Sequence, residues 1–413
     1  MRVALVSEHA SPLAAIGAVD AGGQNVHVAE LASGLTRLGH DVVVYTRRDA
    51  AELTGTVRTD DGYDVVHLDA GPAGAVPKDG LWRLMPDFAD ALRAHLLARP
   101  ADVVHAHFWM SGWAATRASR DLSVPTLVTF HALGSVKRRH QGGADTSPPE
   151  RIEVERAVAA RAERVVATCR DEVAELAALG VDLDRVDVVP CGVDVRHFVP
   201  TAAPLDDPPR REPYRIVSVG RLVPRKGFAT ILEALPGLPG VELVVAGGRT
   251  FAGSVEAEQI RLEQLGAELG VADRVHFVGQ VGHFLMPALL RSADLVVCAP
   301  WYEPFGLVPL EAMACGVPVV ASAVGGMLDS VSDGETGRLV APQDAAALAT
   351  AVRELLADPD RRHAYGRAGA RRARSCYSWD AVAAATAEVY RRTLAQQGAP
   401  DQDAARLPAL GTA

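Results

Sequence analysis

Paired charges in two loops have the types and spacing needed to bind a ligand that carries both phosphates and hydroxyls. Arg221 and Lys226 stand five residues apart in SVGRLVPRKG, across a turn that contains Pro224. Such a turn can point both cations at one diphosphate. Glu303 and Glu311 stand eight residues apart in WYEPFGLVPLEAMACGVPVV, on the two sides of a Phe-Gly bend. Both carboxylates can therefore face one cleft and accept hydrogen bonds from the hydroxyls of a sugar or a ribose.

Two glycine-containing helix starts add backbone groups that favour anions. Gly22 and Gly23 lie in AGGQN, immediately before a predicted helix, and they allow the backbone to approach a ligand closely. The N–H groups of Gly306 to Val308 open a second short helix. Free N–H groups and the positive end of a helix favour a phosphate at both places.

Each of these motifs also has a purely structural interpretation. The glycines can simply loosen a helix start, the cation pair can be a solvated surface turn, and Glu311 can cap its helix. Only three of the 42 basic residues are lysines, namely Lys78, Lys137 and Lys226. In a chain that otherwise uses arginine, a retained lysine can mark a position that requires a compact ammonium, and chance survival is the alternative.

The elements that must position these residues alternate between apolar strands and helices, which predicts an α/β protein with parallel sheets. Predicted strands of the first half lie at 2–7, 41–46, 65–68, 103–107, 126–130, 164–168 and 186–189. The proline-rich stretch 199–213 interrupts the pattern, which restarts with strands at 216–220, 243–246, 275–278, 295–298 and 317–321. Ligands of such sheets bind beyond the carboxyl ends of the strands, where the charged loops lie.

The pattern predicts two doubly wound units that face each other across a cleft. The predicted organisation is an N-terminal acceptor-binding unit at 1–198, a linker at 199–213, a C-terminal donor-binding unit at 214–378, a helix at 379–395 that packs back toward the N-terminal unit, and a flexible tail at 396–413.

Composition excludes several classes of protein. A chain of 413 residues with 48% apolar and 23% charged residues has room for two ordinary cores and is neither a small binding module nor disordered. The net charge of −9 argues against nonspecific binding of nucleic acid or of an anionic membrane. Five scattered cysteines favour reduced thiols, and the absence of a signal-peptide core or a long apolar run predicts a cytoplasmic protein.

Taken together, the motifs resemble those of the retaining glycosyltransferases of family 4. The resemblance rests on GGQN, VGRLVPRKG and the Glu303-x7-Glu311 stretch with Gly316 and Pro318, and it covers the chain up to about residue 395. The segments MRVALVSEHASPL, DAGGQNVHV, HAHFWMSG and FHALGSVK are similar to those of the mycothiol-pathway enzymes that transfer N-acetylglucosamine to inositol phosphate, and of sucrose-phosphate synthases. The family has the GT-B fold, in which two Rossmann-like domains enclose a cleft.

The resemblance implies a nucleotide-sugar donor, UDP-linked, and no essential metal or other cofactor. Arg221 and Lys226 would stabilise the charge that develops on the leaving diphosphate, and Glu303 and His131 would contact the transferred hexosyl group. The implied catalytic residues are His131, Arg221, Lys226 and Glu303. The implied donor-binding residues are Gly22, Gly23, Arg221, Lys226, Glu303, Phe305, Gly306, Leu307, Val308 and Glu311, of which Glu311 would accept the ribose hydroxyls. A donor phosphate oxygen would take the acceptor proton during front-face attack, so the configuration is retained without a protein nucleophile.

For the acceptor, the resemblance implies a site formed by Asn25, Lys78, Phe108, Ala132, Lys137 and Arg151. Lys78 and Arg151 stand where the mycothiol enzymes place cations for inositol phosphate. The Tyr and Thr that help to hold that phosphate are Phe108 and Ala132 here, so two hydrogen bonds worth about 1.5–3 kcal/mol each are lost. We therefore expect a small phosphorylated or polyol acceptor, for which these two losses disfavour inositol phosphate, and a homodimer is compatible with the sequence.

Two other classes stay open at this stage, namely a nucleotide-sugar epimerase or hydrolase and a noncatalytic nucleotide-sugar-binding protein. An oxidoreductase is disfavoured because neither half has GxGxxG after its first strand. Asp182-Leu-Asp184 has the DxD spacing of a metal clamp, but its polar surroundings favour a turn. His105 and His107 could share a metal, although a buried strand end is the simpler interpretation.

Overall fold

Eight strands of the N-terminal half form one twisted sheet in the computed structural model, which describes residues 1–13, 23–201, 209–248 and 257–397. The strands are β1 (Arg2–Val6), β2 (Asp41–Arg47), β3 (Thr56–Arg58), β4 (Asp64–Leu68), β5 (Val103–His107), β6 (Thr126–Thr129), β7 (Arg164–Ala167) and β8 (Val186–Val188). Their order is β3-β4-β2-β1-β5-β6-β7-β8, and only β3 runs antiparallel to its neighbour. The central strands are buried along their length because helices cover both faces.

The helices of this half are α1 (Gly23–Arg37), α2 (Met85–Ala98), α3 (Trp109–Ala118), α4 (Gly134–Gln141), α5 (Arg151–Arg161) and α6 (Arg170–Ala178). A 3-10 helix at Lys78–Leu84 leads into α2. Apolar side chains from α2, α3 and α5 pack against one face of the sheet, and α1 packs against the other.

A second sheet, entirely parallel, follows in the C-terminal half. Its strands are β9 (Tyr214–Val219), β10 (Val241–Ala246), β11 (Val275–Gly279), β12 (Leu295–Cys298), β13 (Val319–Ser322) and β14 (Gly337–Val340), in the order β11-β10-β9-β12-β13-β14. The helices are α7 (Phe228–Ala234), α8 (Ala257–Glu268), α9 (Met286–Arg291), α10 (Leu307–Ala314), α11 (Met327–Ser330), α12 (Ala345–Leu356) and α13 (Pro359–Cys376). A 3-10 turn at Pro224–Lys226 precedes α7.

The last helix, α14 (Trp379–Gln397), follows the second sheet in sequence but packs on the first. Arg37 of α1 donates hydrogen bonds to the carboxylate of Asp380, and the Tyr390 hydroxyl lies 2.7 Å from Nδ1 of His105 on β5. The chain therefore returns to the unit in which it began. No helix within the described ranges is long and apolar enough to cross a membrane.

Strand order identifies where each sheet can hold a ligand. The order reverses at β1 and β5 in the first sheet and at β9 and β12 in the second. A crevice opens at such a reversal, outside the carboxyl ends of the strands. The loops that follow these four strands contain Gly23, Phe108, Lys226 and Glu303. The predicted α/β class with two parallel sheets is confirmed, and the motifs found in the sequence lie at the positions that this topology selects.

Most predicted strands agree with the structure to within two residues. The sequence analysis missed β3 and β14, which are short edge strands. The helix between β11 and β12 begins as a 3-10 turn and becomes α9 at Met286, because Pro287 suits the first turn of a helix.

Candidate active site

Lys226 and Glu303 meet at the carboxyl ends of β9 and β12. The Lys226 ammonium contacts the Glu303 carboxylate directly, and both side chains are mostly buried. Burial would raise the pKa of Glu303, but the charges of Lys226 and Arg225 hold it below its ordinary value. The carboxylate is therefore ionised at neutral pH, and it fixes the ammonium beside the cleft.

Arg225 is a functional candidate that the sequence reading missed. Its side chain is half-buried, and it lies close enough to Glu303 and Arg221 for both charges to act on its pKa, which burial lowers. Its carbonyl accepts a hydrogen bond of 2.9 Å from the Trp301 N–H, which ties the two loops together. Arg221 is exposed and forms no ion pair with any described residue. The signal available in the sequence was a second cation, Arg225, directly beside Lys226 in the loop after a predicted strand.

Gly227 allows this turn to press against the neighbouring strand end. Its φ of 71° is left-handed, and a Cβ placed there would lie 1.7 Å from the carbonyl oxygen of Ala299. We expect Gly227→Ala to lower the free energy of unfolding by about 2–5 kcal/mol, the sum of left-handed strain and overpacking. Chemical denaturation measures the loss.

Gly270 supplies a matched control for that substitution. It has a φ of 69° but open space around the Cβ position. Gly270→Ala should therefore cost only the backbone strain, about 1–2 kcal/mol. Equal losses in the two variants would show that the contact with Ala299 is unimportant.

Glu311 lies on α10, which begins after Gly306 in a left-handed conformation with φ of 68°. Glu311 is the fifth residue of this helix, one turn beyond the positions at which a side chain caps the start. This position rules out N-terminal capping as its role. Burial raises the pKa of Glu311 to about 7, and no cation of the described residues pairs with it. The carboxyl group is thus available to an external hydroxyl.

Across the cleft, α1 begins at Gly23 and faces the loop before α10. A Cβ on Gly23 would lie 3.3 Å from Cδ1 of Leu307 and 3.7 Å from the Phe305 ring. The two helix starts that were predicted to bind phosphate therefore oppose each other. Gly22, which belongs to the same prediction, lies outside the described residues. Val308 is the second residue of α10 and is half-buried beside Leu307.

His131 follows β6 and points into the same region. Its ring centroid lies 5.4 Å from that of Phe305, and its Nε2 lies 2.9 Å from Nδ1 of His107. Burial holds the pKa of His131 well below its ordinary value, so the imidazole is neutral. The backbone φ of 62° is rare for a residue with a side chain, and such strain is concentrated at functional sites.

Phe108 shows the same strain, with φ of 87° at the end of β5. Its ring supports two of the predicted acceptor cations, because the Lys78 ammonium lies 3.9 Å and the Arg151 guanidinium 5.1 Å from the ring centroid. Cation–π attraction of this kind is worth about 0.5–2 kcal/mol. The aromatic ring thus orients cations at the position where the resemblance implies a phosphate-binding tyrosine in the mycothiol enzymes.

The other predicted acceptor residues surround this pair. Arg151 donates to Glu155 at 2.8 Å and to the carbonyl of Ala132 at 2.5 Å. Lys137 pairs with Asp145 at 3.0 Å. Lys78, Lys137, Arg151, Phe108 and Ala132 are therefore brought together as predicted. Asn25 links α1 to the preceding loop through a 3.0 Å hydrogen bond to the Ser11 carbonyl.

Glu8 and His9 lie beside the predicted acceptor residues, and the sequence analysis did not select them. Glu8 is fully buried, accepts a hydrogen bond from the Ser111 hydroxyl and lies 2.6 Å from Nδ1 of His9. Burial would raise its pKa, but His9, Ser111 and the charge of Lys78 keep it low. A Glu-His pair directly after β1, at a sheet reversal, was the signal that could have revealed them.

Two weaker sequence signals have ordinary explanations. The Asp182 side chain accepts a hydrogen bond of 3.1 Å from the N–H of Asp184 and caps a 3-10 turn, as the turn interpretation predicted. Both ring nitrogens of His105 are hydrogen-bonded, to the Tyr390 and Thr129 hydroxyls. His105 therefore has a structural role at the strand.

Comparison with known proteins gives these features an identity. Residues 21–197 match the family model described as Glycosyltransferase Family 4, and residues 206–372 match the model described as Glycosyl transferases group 1. A sucrose-phosphate synthase from Thermosynechococcus elongatus superposes with a TM-score of 0.85 at 34% identity, covering 96% of this chain and all of that one. The fold and the facing loops thus define a glycosyltransferase of the GT-B class.

Curated relatives specify the family. D-inositol 3-phosphate glycosyltransferase 2 of Catenulispora acidiphila is 37% identical over 409 residues, 95% of each chain. D-inositol 3-phosphate glycosyltransferase of Mycobacterium bovis is 38% identical over 419 residues, 97% of this chain and 85% of the relative. The chain belongs to glycosyltransferase family 4, and it is an enzyme of that family.

Proposed function

We propose that the protein is a retaining hexosyltransferase, which uses a nucleotide-diphosphate sugar, UDP-linked, and a small phosphorylated or polyol acceptor, with no metal requirement. The observation that carries the proposal is the approach of Gly23 and His131 to Phe305 and Leu307, beside the Lys226–Glu303 pair. This arrangement supplies anion-binding backbone, a fixed cation and hydroxyl acceptors within one cleft.

In this proposal the diphosphate lies between the starts of α1 and α10. Backbone N–H groups on both sides meet the phosphate oxygens, and Lys226 neutralises the charge that develops as the nucleotide leaves. Arg221 and Arg225 add positive charge around the same position. Glu311 accepts hydrogen bonds from the ribose hydroxyls, for which its unpaired carboxyl group is suited.

The transferred sugar then lies against His131 and Glu303. A neutral imidazole can donate one hydrogen bond and accept another, so His131 can orient a sugar hydroxyl without changing charge. Glu303 is ionised and accepts a hydrogen bond from a hydroxyl of the sugar. The acceptor attacks from the side of the leaving diphosphate, and a phosphate oxygen of the donor takes its proton.

The acceptor proposal rests on the cations around Phe108. Relatives are named for D-inositol 3-phosphate, but Phe108 and Ala132 lack the hydroxyls that the resemblance assigns to binding of that phosphate. Arg151 and Lys137 are already paired with Glu155 and Asp145. Lys78 lies on the face of the Phe108 ring, and the charge of Glu8 acts on it from a greater distance. Of these three cations, Lys78 is therefore the most available to an anionic group of the acceptor.

Acceptor binding should therefore weaken at alkaline pH. Burial lowers the pKa of Lys78 to about 8, and the neighbouring Arg151 and Lys137 contribute to the shift. As pH rises through 8, the free enzyme loses the Lys78 proton, so kcat/KM for an anionic acceptor should fall about tenfold per pH unit above this pKa. The measurement is a pH profile at saturating donor.

Lys78→Arg tests the assignment, because a guanidinium stays charged across this range. Its profile should stay flat above pH 8, whatever its absolute activity. Lys137→Arg, at a cation already paired with Asp145, should keep the decline of the wild type. A decline that persists in Lys78→Arg would assign the titration to another group.

A donor panel followed by product analysis tests the function itself. One nucleotide-sugar series should raise the melting temperature, because a ligand of the native state stabilises it. That donor is then incubated with inositol phosphate, sugar phosphates and polyols in the presence of a chelator, and the anomeric configuration of the product is read by NMR. Release of free sugar or an epimer without acceptor would overturn transfer, and donor binding without turnover on any acceptor would support a noncatalytic binder.

A further inference from the structure

A group of buried histidines lies directly behind the position proposed for the transferred sugar. His27 on α1, His107 on β5 and His131 after β6 each place one ring nitrogen within 4.8 Å of those of the other two. The ring centroid of His27 lies 4.9 Å from that of His131 and 5.5 Å from that of His107. Three separate elements thus converge three imidazoles on one point.

The hydrogen bonding of this group is incomplete. Nδ1 of His107 and Nε2 of His131 share one hydrogen bond, while Nε2 of His107 and Nδ1 of His131 are buried without a partner. An ion placed among the three rings would take the two nitrogens of that shared hydrogen bond and replace it. His105, the next histidine on β5, has both nitrogens satisfied.

The chemistry of the group suits a metal of intermediate softness. Burial lowers the pKa of His27 to about 4 and holds those of His107 and His131 well below the ordinary value, so all three imidazoles are neutral near pH 7. The hydrogen bond between His107 and His131 uses one of their lone pairs, so a bound ion would replace that hydrogen bond, with the ring protons then on Nε2 of His107 and Nδ1 of His131. Because the rings are neutral, this exchange releases no proton. The Cys191 thiol lies 3.4 Å from Nδ1 of His27 and can fix the orientation of that ring.

We propose that His27, His107 and His131 form a binding site for a divalent transition metal of the zinc class, and that the bound ion inhibits the enzyme by withdrawing His131 from the sugar. Three imidazoles are a known ligand set for tetrahedral Zn²⁺, with Zn–N distances of about 2.0–2.1 Å and hence ligand nitrogens about 3.3 Å apart. The 2.9 Å pair of His107 and His131 needs to open only slightly to reach this spacing. The fourth position is left to water.

The inhibitory part of this inference rests on the proposed function, because it depends on the role given to His131. Binding of the metal does not depend on that role. The two parts can therefore be tested by separate measurements on the same full-length protein.

Direct binding is measured with Co²⁺ and Zn²⁺ added to the purified chain. Co²⁺ should saturate at one ion per chain and give the intense visible absorption of a tetrahedral site, which Zn²⁺ then abolishes by displacement. His27→Gln and His107→Gln should each weaken binding more than about tenfold, since even changes outside the ligand set cost metal sites that much. The melting temperature of each variant without metal shows whether it has folded.

Two controls separate this site from other histidines. His105→Gln replaces an equally buried histidine of the same strand that has no free nitrogen, and His197→Asn breaks the stacked pair of His197 and His283 at the surface. Both should bind Co²⁺ as the wild type does. Absence of saturable binding in the wild type, or unchanged binding in a folded His27→Gln, would overturn the site.

Inhibition is then measured as loss of transfer at increasing Zn²⁺, with recovery on addition of a chelator. Turnover of the wild type should fall at least tenfold at saturation, whereas His27→Gln, which is not assigned to sugar binding, should remain active and resistant. If the wild type binds the metal but keeps its turnover, the proposed inhibition is wrong and the proposed metal site stands. A protein that binds metal but transfers no sugar at all would contradict the proposed function alone.

Discussion

Replacing Lys226 by methionine should lower kcat by about 10²–10³-fold, the range found when one group that stabilises developing negative charge is removed. Lys226 is fixed beside the cleft by Glu303 and lies at the sheet reversal where β9 and β12 separate. Its charge acts mainly on the leaving diphosphate, so the loss should appear in kcat more than in the donor dissociation constant. Steady-state kinetics and donor titration on the same variant separate the two quantities.

The fold of the Lys226 variant needs its own control, since removing the ammonium leaves the Glu303 carboxylate buried and unpaired. Loss of one partner from a buried pair costs about 3–5 kcal/mol. Lys226→Met combined with Glu303→Gln removes both charges and should recover stability while turnover stays low. If that double variant recovers turnover as well, or if folded Lys226→Met has unchanged kcat, Lys226 has no catalytic role.

Replacing Glu311 by alanine should raise the donor dissociation constant by at least about tenfold, because one hydrogen bond to a charged group contributes about 1.5–3 kcal/mol. The carboxyl group has no cationic partner among the described residues, so the protein itself gives its charged form little stabilisation. Calorimetric titration of the donor measures the change. The kcat at saturating donor should fall less than in the Lys226 variant.

Glu311→Gln keeps the size of the side chain and shows whether charge matters. With a pKa of about 7 in the free protein, Glu311 is protonated below and ionised above that pH. If the carboxylate is the form that binds ribose, donor affinity of the wild type should increase as pH rises through 7, and that of Glu311→Gln should stay flat.

The titration of Glu311 should make the free energy of unfolding fall as pH rises, which is opposite to the expected change in donor affinity. A carboxyl group whose pKa is raised by folding contributes stability that is lost as pH rises between its unfolded value of about 4.5 and its folded value of about 7. The ligand-free Glu311→Gln protein should therefore melt no lower than the wild type at pH 8. A large loss of stability in that variant would show a structural role instead of a binding role.

Local pattern was enough to predict the two sheets and the loops that serve the site. Alternation of apolar strands and helices depends on neighbouring residues, and parallel strands place their carboxyl ends at one edge whatever the details of packing. Gly23, Lys226 and Glu303 could therefore be singled out before any contact was known. The predicted end of the first unit, at the proline-rich stretch 199–213, also rests on local sequence alone.

What the tertiary structure decided is which side chains meet and what surrounds them. The approach of His131 to Phe305 joins residues far apart in the chain, and no periodicity encodes it. The pKa values near 7 and 8 at Glu311 and Lys78 come from burial, which depends on packing from several elements at once.

Arg225 and the histidine group are further features that the tertiary structure decided. As residue types they resemble many others in the chain, and only the fold makes Arg225 half-buried beside Glu303 and brings His27, His107 and His131 to one point. The sequence by itself therefore determined the architecture, the family and the candidate loops. The three-dimensional packing determined the charge states, the partners and the unsatisfied nitrogens, because burial and contact between distant residues exist only once the chain has folded.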